Sequence, residues 1–335
     1  MMSAQDTTTP PLEHGGALEA ARRLFPGAPE PLLDLSTGIN PVPYPLPALT
    51  AEAFTRLPEQ GALERLQQAA ALAYGAADPA MVVAAPGTQL LISLLPRLLP
   101  QPRVAVLGPT YGEHAAAWRA AGTPVTEADE FGSLAGHQAV VLCNPNNPDG
   151  RRHPRAALAE LAGRVRLLVV DEAFADLEPD DLGAASLLPC PGLLVLRSFG
   201  KTYGLAGLRL GFAMASVPMA QALRTALGPW AVSGPALLAG TQALTDRAWR
   251  NATMTRCTAD AARLDAMLET AGLRVIGGTR LFRLAESPEA VAWFGRLGTQ
   301  GIMVRRFREA PARLRFGLPG TVEDWWRLEA ALRDR

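Results

Sequence analysis

The chain is poor in the features that mark several large classes of protein. Its 335 residues include three cysteines, Cys143, Cys190 and Cys257, far apart and without a CxxC pair, so neither a disulfide framework nor a zinc site is indicated. No metal is expected. No run of eighteen or more apolar residues occurs, which speaks against a membrane-spanning helix. The N-terminal stretch lacks the basic-then-apolar layout of a secretory signal, and a cytoplasmic location is the expectation. Neither charge is in surplus, with 32 Lys and Arg against 32 Asp and Glu, so there is no basic field to attract nucleic acid or an anionic membrane. What remains is an ordinary globular composition, 48% hydrophobic and 19% charged, at a length that suits two domains or one large domain with an appendage.

Along the chain, Leu32 to Ser36 reads as a strand leading into the polar turn Thr37-Gly38-Ile39-Asn40-Pro41. Leu63, Leu66, Ala70 and Ala73 fall at helical spacing. Six short apolar runs then alternate with helical segments, at Met81–Ala84, Arg103–Leu107, Ala139–Cys143, Leu167–Val170, Leu193–Leu196 and Leu210–Ala213. Continuous apolar strands imply burial on both faces, hence an α/β unit with a mainly parallel sheet between helices. A long amphipathic segment from about Ser233 to Ala271 follows, then a smaller unit with strands at Leu273–Ile276, Leu281–Ala285, Ile302–Arg306 and Leu314–Leu318. Thr321 and Asp324 have the spacing of a capping box for the last helix. The expected division is an N-terminal arm, 1–50, joining a small C-terminal domain, 231–335, with a large domain at 51–230.

The stretch Arg197 to Gly211 organises the rest. Lys201 follows the apolar run Leu193–Leu196, where a sheet presents its functional edge, with Ser198 three residues before it and Arg209 eight after. An anion site beside an amine is what holding a phosphorylated aldehyde as a Schiff base requires, and pyridoxal 5′-phosphate is the candidate. Gly200-Lys201-Thr202 does not complete a P-loop, because Val195 stands where that motif needs a glycine. The other strand ends agree. Gly87-Thr88 opens a helix and offers a second phosphate contact, Tyr111 offers an aromatic ring, Asn144-Pro145-Asn146-Asn147-Pro148 offers amides, and Asp171 offers a carboxylate.

In that order these motifs resemble the fold-type I pyridoxal-phosphate enzymes of the class I/II aminotransferase superfamily. The resemblance implies that Lys201 carries the cofactor, Asp171 pairs with the pyridine nitrogen, Asn147 donates to the ring hydroxyl and Tyr111 stacks on the ring. It gives the phosphate to Gly87, Thr88, Ser198 and Arg209. The opening His14-Gly15-Gly16, the Leu35–Pro41 turn and Leu314–Gly320 are similar to the L-threonine-O-3-phosphate decarboxylases of cobalamin biosynthesis, close relatives of histidinol-phosphate aminotransferases. This implies decarboxylation of L-threonine O-3-phosphate to (R)-1-amino-2-propanol O-2-phosphate by a homodimer. Arg315, with Asn40, would bind the substrate carboxylate, and His14 with Arg305 or Arg306 the substrate phosphate. An aminotransferase and a catalytically idle binding relative are the alternatives. The pattern departs from its relatives at Ala17, Leu57, Asp149 and Phe174.

Overall fold

The computed structural model describes residues 15–46, 48–179 and 182–333. His14 lies outside the described residues. The chain divides into two compact units, Val42–Met254 and a second made of the segments up to Pro41 and from Thr255. The sequence reading put these divisions at 50/51 and 230/231. The difference has a physical cause, since the helix Gly234–Thr245 is packed into the larger unit. A Cβ on Gly240 would lie 2.6 Å from Leu210 and 2.9 Å from Leu66, and one on Gly234 would lie 2.3 Å from the Ala53 carbonyl. Tyr44 is fixed to the same unit through Tyr203 and Asp246.

In chain order, β1 (Leu33–Leu35) belongs to the smaller unit. The larger unit carries β2 (Val82–Ala85), β3 (Val104–Leu107), β4 (Val125–Ala128), β5 (Ala139–Cys143), β6 (Leu167–Asp171), β7 (Leu193–Ser198) and β8 (Gly211–Ala215). They form one sheet in the order β2-β8-β7-β6-β5-β3-β4, parallel except that β8 runs against both neighbours. The apolar runs are explained by burial on both sides. Val82, Ala84, Val140, Leu142, Leu168, Val170, Leu193 and Val195 enter one core, while Val83, Ala85, Val141, Val169, Leu194 and Leu196 enter the other. Edge strand β4 escapes that pattern because Thr126 and Glu127 are exposed, and the sequence reading passed over it.

The smaller unit adds β9 (Arg274–Thr279), β10 (Phe282–Glu286), β11 (Ile302–Arg306) and β12 (Arg313–Gly317). With β1 they form a sheet in the order β1-β11-β12-β10-β9, in which only the β1–β11 pair is parallel. Its last helix, Val322–Arg333, opens on a reciprocal cap: the Thr321 amide donates to Asp324 at 3.0 Å and the Asp324 amide to Thr321 Oγ1 at 3.1 Å. Among the described residues no helix is long and apolar enough to cross a membrane.

Candidate active site

Within the larger unit, the carboxyl ends of β3, β5, β6 and β7 and the loop after β2 close around a cavity of about 200 Å³. Gly87, Thr88, Tyr111, Asn147, Asp171, Ser198, Lys201 and Arg209 all line it, so every cofactor residue expected from the sequence is brought to one place. Chain crossovers in a parallel sheet put successive strand ends on the same edge, which is why motifs scattered over 120 or so residues meet there.

Part of the cavity lining offers donors of the kind that suit an anion. The helix Thr88–Leu98 begins there with its free amide groups, and Gly87 precedes it at φ 86°, ψ 159°. A side chain at 87 would be strained at that φ and would also stand 2.8 Å from Nη2 of Arg209. Arg209 itself is left-handed at φ 54°, ψ 58°, a conformation that residues with a side chain resist, and its Nη1 donates to the Ala206 carbonyl at 3.2 Å. Ser198 closes β7 beside them.

Asp171, which also lines the cavity, is 4% exposed. Its Oδ1 accepts from the Ala173 amide at 3.0 Å, and its Oδ2 lies 2.8 Å from His114 Nε2. His114 is buried, and burial is the strongest influence on it, opposing the charged ring. The Cys143 sulfur and the bond to Asp171 more than offset this, so its pKa rises from an ordinary 6.5 to about 10. The sequence reading missed His114, though a signal existed. It stands three residues after Tyr111, in the first turn of the helix Glu113–Ala120, and the two rings meet edge to face at 5.9 Å.

The Asn-rich loop sorts its three amides. Asn144 exchanges hydrogen bonds with the backbone of His153 at 2.8 and 3.0 Å, and Asn146 is bonded to Thr110, Pro109 and Asp149. Both are buried and spent on shaping the loop. Asn147 is the one of the three that lines the cavity. Asp149, a departure from the resembled pattern, is part of this frame, because it also accepts from the Arg151 amide. Tyr111 is held by its hydroxyl, which donates to Gln89 Oε1 at 3.0 Å, while Gln89 donates to Glu113. Lys201 follows in the single helical turn Phe199–Thr202, its Nζ 5.5 Å from the centre of the Phe174 ring.

Behind β6 and β7 is a buried charge cluster that the sequence reading also missed. Arg197 bridges Glu172 at 2.8 Å and Asp176 at 2.7 Å, all three side chains less than a tenth exposed. Burial alone would lower the Arg197 pKa, and the two carboxylates raise it instead. The register pairs Asp171 with Leu196, so Glu172 and Arg197, one residue beyond each, are neighbours across two adjacent strands. A charged residue at the end of each of two consecutive apolar runs was the available clue.

The smaller unit holds the remaining expected residues that the structure describes. Arg315 is 7% exposed, its Nη2 donating to the Ser36 carbonyl at 2.8 Å. Its pKa falls to about 9, through burial first and the charge of Arg305 second. The β11–β12 register sets Arg305 directly opposite Arg315, so both project from one face of the sheet. Arg306 projects from the other face, with its guanidinium 4.6 Å from the centre of the Phe294 ring. Gly15 lies so close to Ser36 that a Cβ would stand 2.4 Å from its carbonyl oxygen, while Gly16 donates to Ser36 Oγ at 2.9 Å. Asn40 is 2% exposed and bonded to Arg256.

Comparison with known proteins agrees with this geometry. The family model for aminotransferase class I and II matches residues 31–329. Threonine-phosphate decarboxylases from Pseudomonas aeruginosa and from a Sinorhizobium species are each 44% identical to the chain. The first aligns over 96% of this chain and 97% of its own length, the second over 96% and 98%. Among solved structures, histidinol-phosphate aminotransferase from Sinorhizobium meliloti in complex with pyridoxal-5′-phosphate superposes with a TM-score of 0.80 at 21% identity, covering 99% of this chain and 98% of that one, a likeness of fold. With nearly the whole chain matched, and the lysine, carboxylate and anion cradle gathered at one sheet edge, the protein belongs to the aminotransferase class I and II family.

Proposed function

We propose that the protein is a pyridoxal 5′-phosphate-dependent lyase that decarboxylates L-threonine O-3-phosphate to (R)-1-amino-2-propanol O-2-phosphate. The observation that carries this reading is the 44% identity, along nearly all of both chains, to two threonine-phosphate decarboxylases. The cavity suits the cofactor by the chemistry of its donors. Its lining combines helix-start amides, a serine and an arginine with a buried carboxylate, an amine, an amide and an aromatic ring. When bound, the cofactor supplies an electron sink for the bond that breaks at the substrate α-carbon.

The chain's own residues set the rest. Gly87, Thr88, Ser198 and Arg209 would hold the cofactor phosphate, and the Asp171 carboxylate would favour a protonated ring nitrogen. Protonated His114 aligns that carboxylate. Asn147 would donate to the ring hydroxyl, and Tyr111 would offer its ring for stacking. Lys201 would hold the cofactor through its amine, and that amine would carry a proton near the reacting carbon. Arg315 and Asn40 take the substrate carboxylate. Of the two neighbouring arginines, Arg305 is the one assigned to the substrate phosphate, because it shares a face with Arg315. His14 is assigned there with it.

The remaining expectations belong to the same reading: a cytoplasmic homodimer acting in cobalamin biosynthesis. The deciding experiment is CO2 release from L-threonine O-3-phosphate by the cofactor-loaded protein without 2-oxoglutarate, with Lys201→Ala as control. Lys201-dependent release is expected. Amino transfer that requires 2-oxoglutarate, with no CO2 release, would reassign the protein as an aminotransferase.

A further inference from the structure

An aromatic ring stacks well on a ligand only when it is held at one angle. Tyr111 reaches the cavity from a loop, so no helix or strand sets the torsions of its side chain. Its ring meets His114 edge to face at 5.9 Å, and its hydroxyl donates to Gln89 Oε1 at 3.0 Å. Gln89 lines the cavity as well, one residue past Thr88 in the first turn of the helix Thr88–Leu98. An amide has a donor end and an acceptor end of nearly equal size, and something must decide which of them faces Tyr111. The decision is made at Glu113, the first residue of the helix Glu113–Ala120, whose Oε2 accepts from Gln89 Nε2 at 3.0 Å. A carboxylate only accepts, so the amino end of Gln89 turns to Glu113 and the carbonyl end is left for the hydroxyl. Both ends of the amide are thereby used.

We infer that Gln89 is a positioning residue for the cofactor ring. Glu113 turns its amide, and the turned amide holds the Tyr111 hydroxyl, so that the Tyr111 ring is presented to the cavity at a fixed angle. The inference rests on the stacking role given to Tyr111 above. Gln89 acts through Tyr111. An uncharged residue beside Thr88 also makes the link to Glu113 without bringing a second negative charge to the phosphate donors.

The test reads two quantities: the dissociation constant of pyridoxal 5′-phosphate in a Lys201→Ala background, and the visible circular dichroism of the cofactor at full occupancy in the holoenzyme. Gln89→Leu and Tyr111→Phe are each expected to raise the dissociation constant about three- to tenfold, the effect of losing one neutral hydrogen bond, and to weaken the dichroic band. The double variant should be no worse than either single one, because the two residues act as one unit. Gln89→Glu sets two carboxylates against each other and should exceed Gln89→Leu; adding Glu113→Gln should recover part of that loss, since one donor and one acceptor again face each other. An unchanged constant and band in Gln89→Leu, beside a loss in Tyr111→Ala, would overturn this inference alone. No loss in Tyr111→Ala would overturn it together with the role of Tyr111. Losses that multiply in the double variant, or no recovery on adding Glu113→Gln, would also overturn it. Should Gln89→Leu not fold, Tyr111→Phe carries the comparison, and an unchanged band there overturns the proposal.

Discussion

The two units meet an anion in different ways. In the larger unit the anion cradle uses helix-start amides, a serine and one arginine at the rim of an apolar double core. In the smaller unit two arginines stand opposite each other in a sheet, one of them buried, with its pKa drawn down to about 9. Backbone amides are fixed partial charges that cost nothing to keep neutral, so the first site tolerates being empty. The charge of Arg305, second to burial, draws the Arg315 pKa down, and a bound anion would relieve that repulsion. On the proposed reading, the first site would hold the resident group and the second the ligand that comes and goes.

The sharpest way to break that comparison is Lys201→Ala. It is expected to lower CO2 release by about a thousandfold or more while the circular dichroism spectrum stays unchanged. Covalent retention of the cofactor, measured after borohydride treatment, should vanish, and retained label would refute the assignment. Next in size, Arg315→Lys should raise KM about ten- to a hundredfold, because a point charge does not replace a forked donor. An unaltered KM would remove Arg315 from the site.

A pair of variants sharpens the contrast further. Arg305→Met should raise KM for the phosphorylated substrate about tenfold, whereas Arg306→Met, on the opposite face, should change it less than about twofold. Equal effects would contradict the register argument. Titration gives a further test. Burial first and the charge of Arg305 second draw the Arg315 pKa down toward about 9, so kcat/KM is expected to fall at alkaline pH, and Arg315→Lys to move the break.

The smallest effect concerns stability. His114 has a folded pKa of about 10 against an ordinary 6.5, so its contribution is fully present below about pH 6.5 and is lost as pH rises through about 10. The His114→Gln variant should melt at a lower temperature than the parent at pH 7 and lose less on going to pH 10. A parent melting temperature that is flat over this interval would place the charge elsewhere.

Much of this was legible in the sequence because of how the larger unit is buried. Strands covered on both faces must be apolar throughout, and parallel connection then places each strand end at one edge, so Asp171, Asn147 and Lys201 could be read in order. Where burial is one-sided the text fades, as at Val125–Ala128. Arg305 and Arg306 are equivalent in sequence and were separated only by the pairing of Arg305 with Arg315. The contact between His114 and Asp171 spans 57 positions, and Asn40 with Arg256 spans 216, distances over which local pattern carries no information.

Arg209 has one more consequence. Its left-handed backbone costs a residue with a side chain about 1–2 kcal/mol, and a glycine would rest there without that cost. At this position selection for a stable fold and selection for holding a phosphate pull in opposite directions. On the proposed reading the phosphate that Arg209 would hold offsets that cost, and a protein without the cofactor would gain by a glycine there.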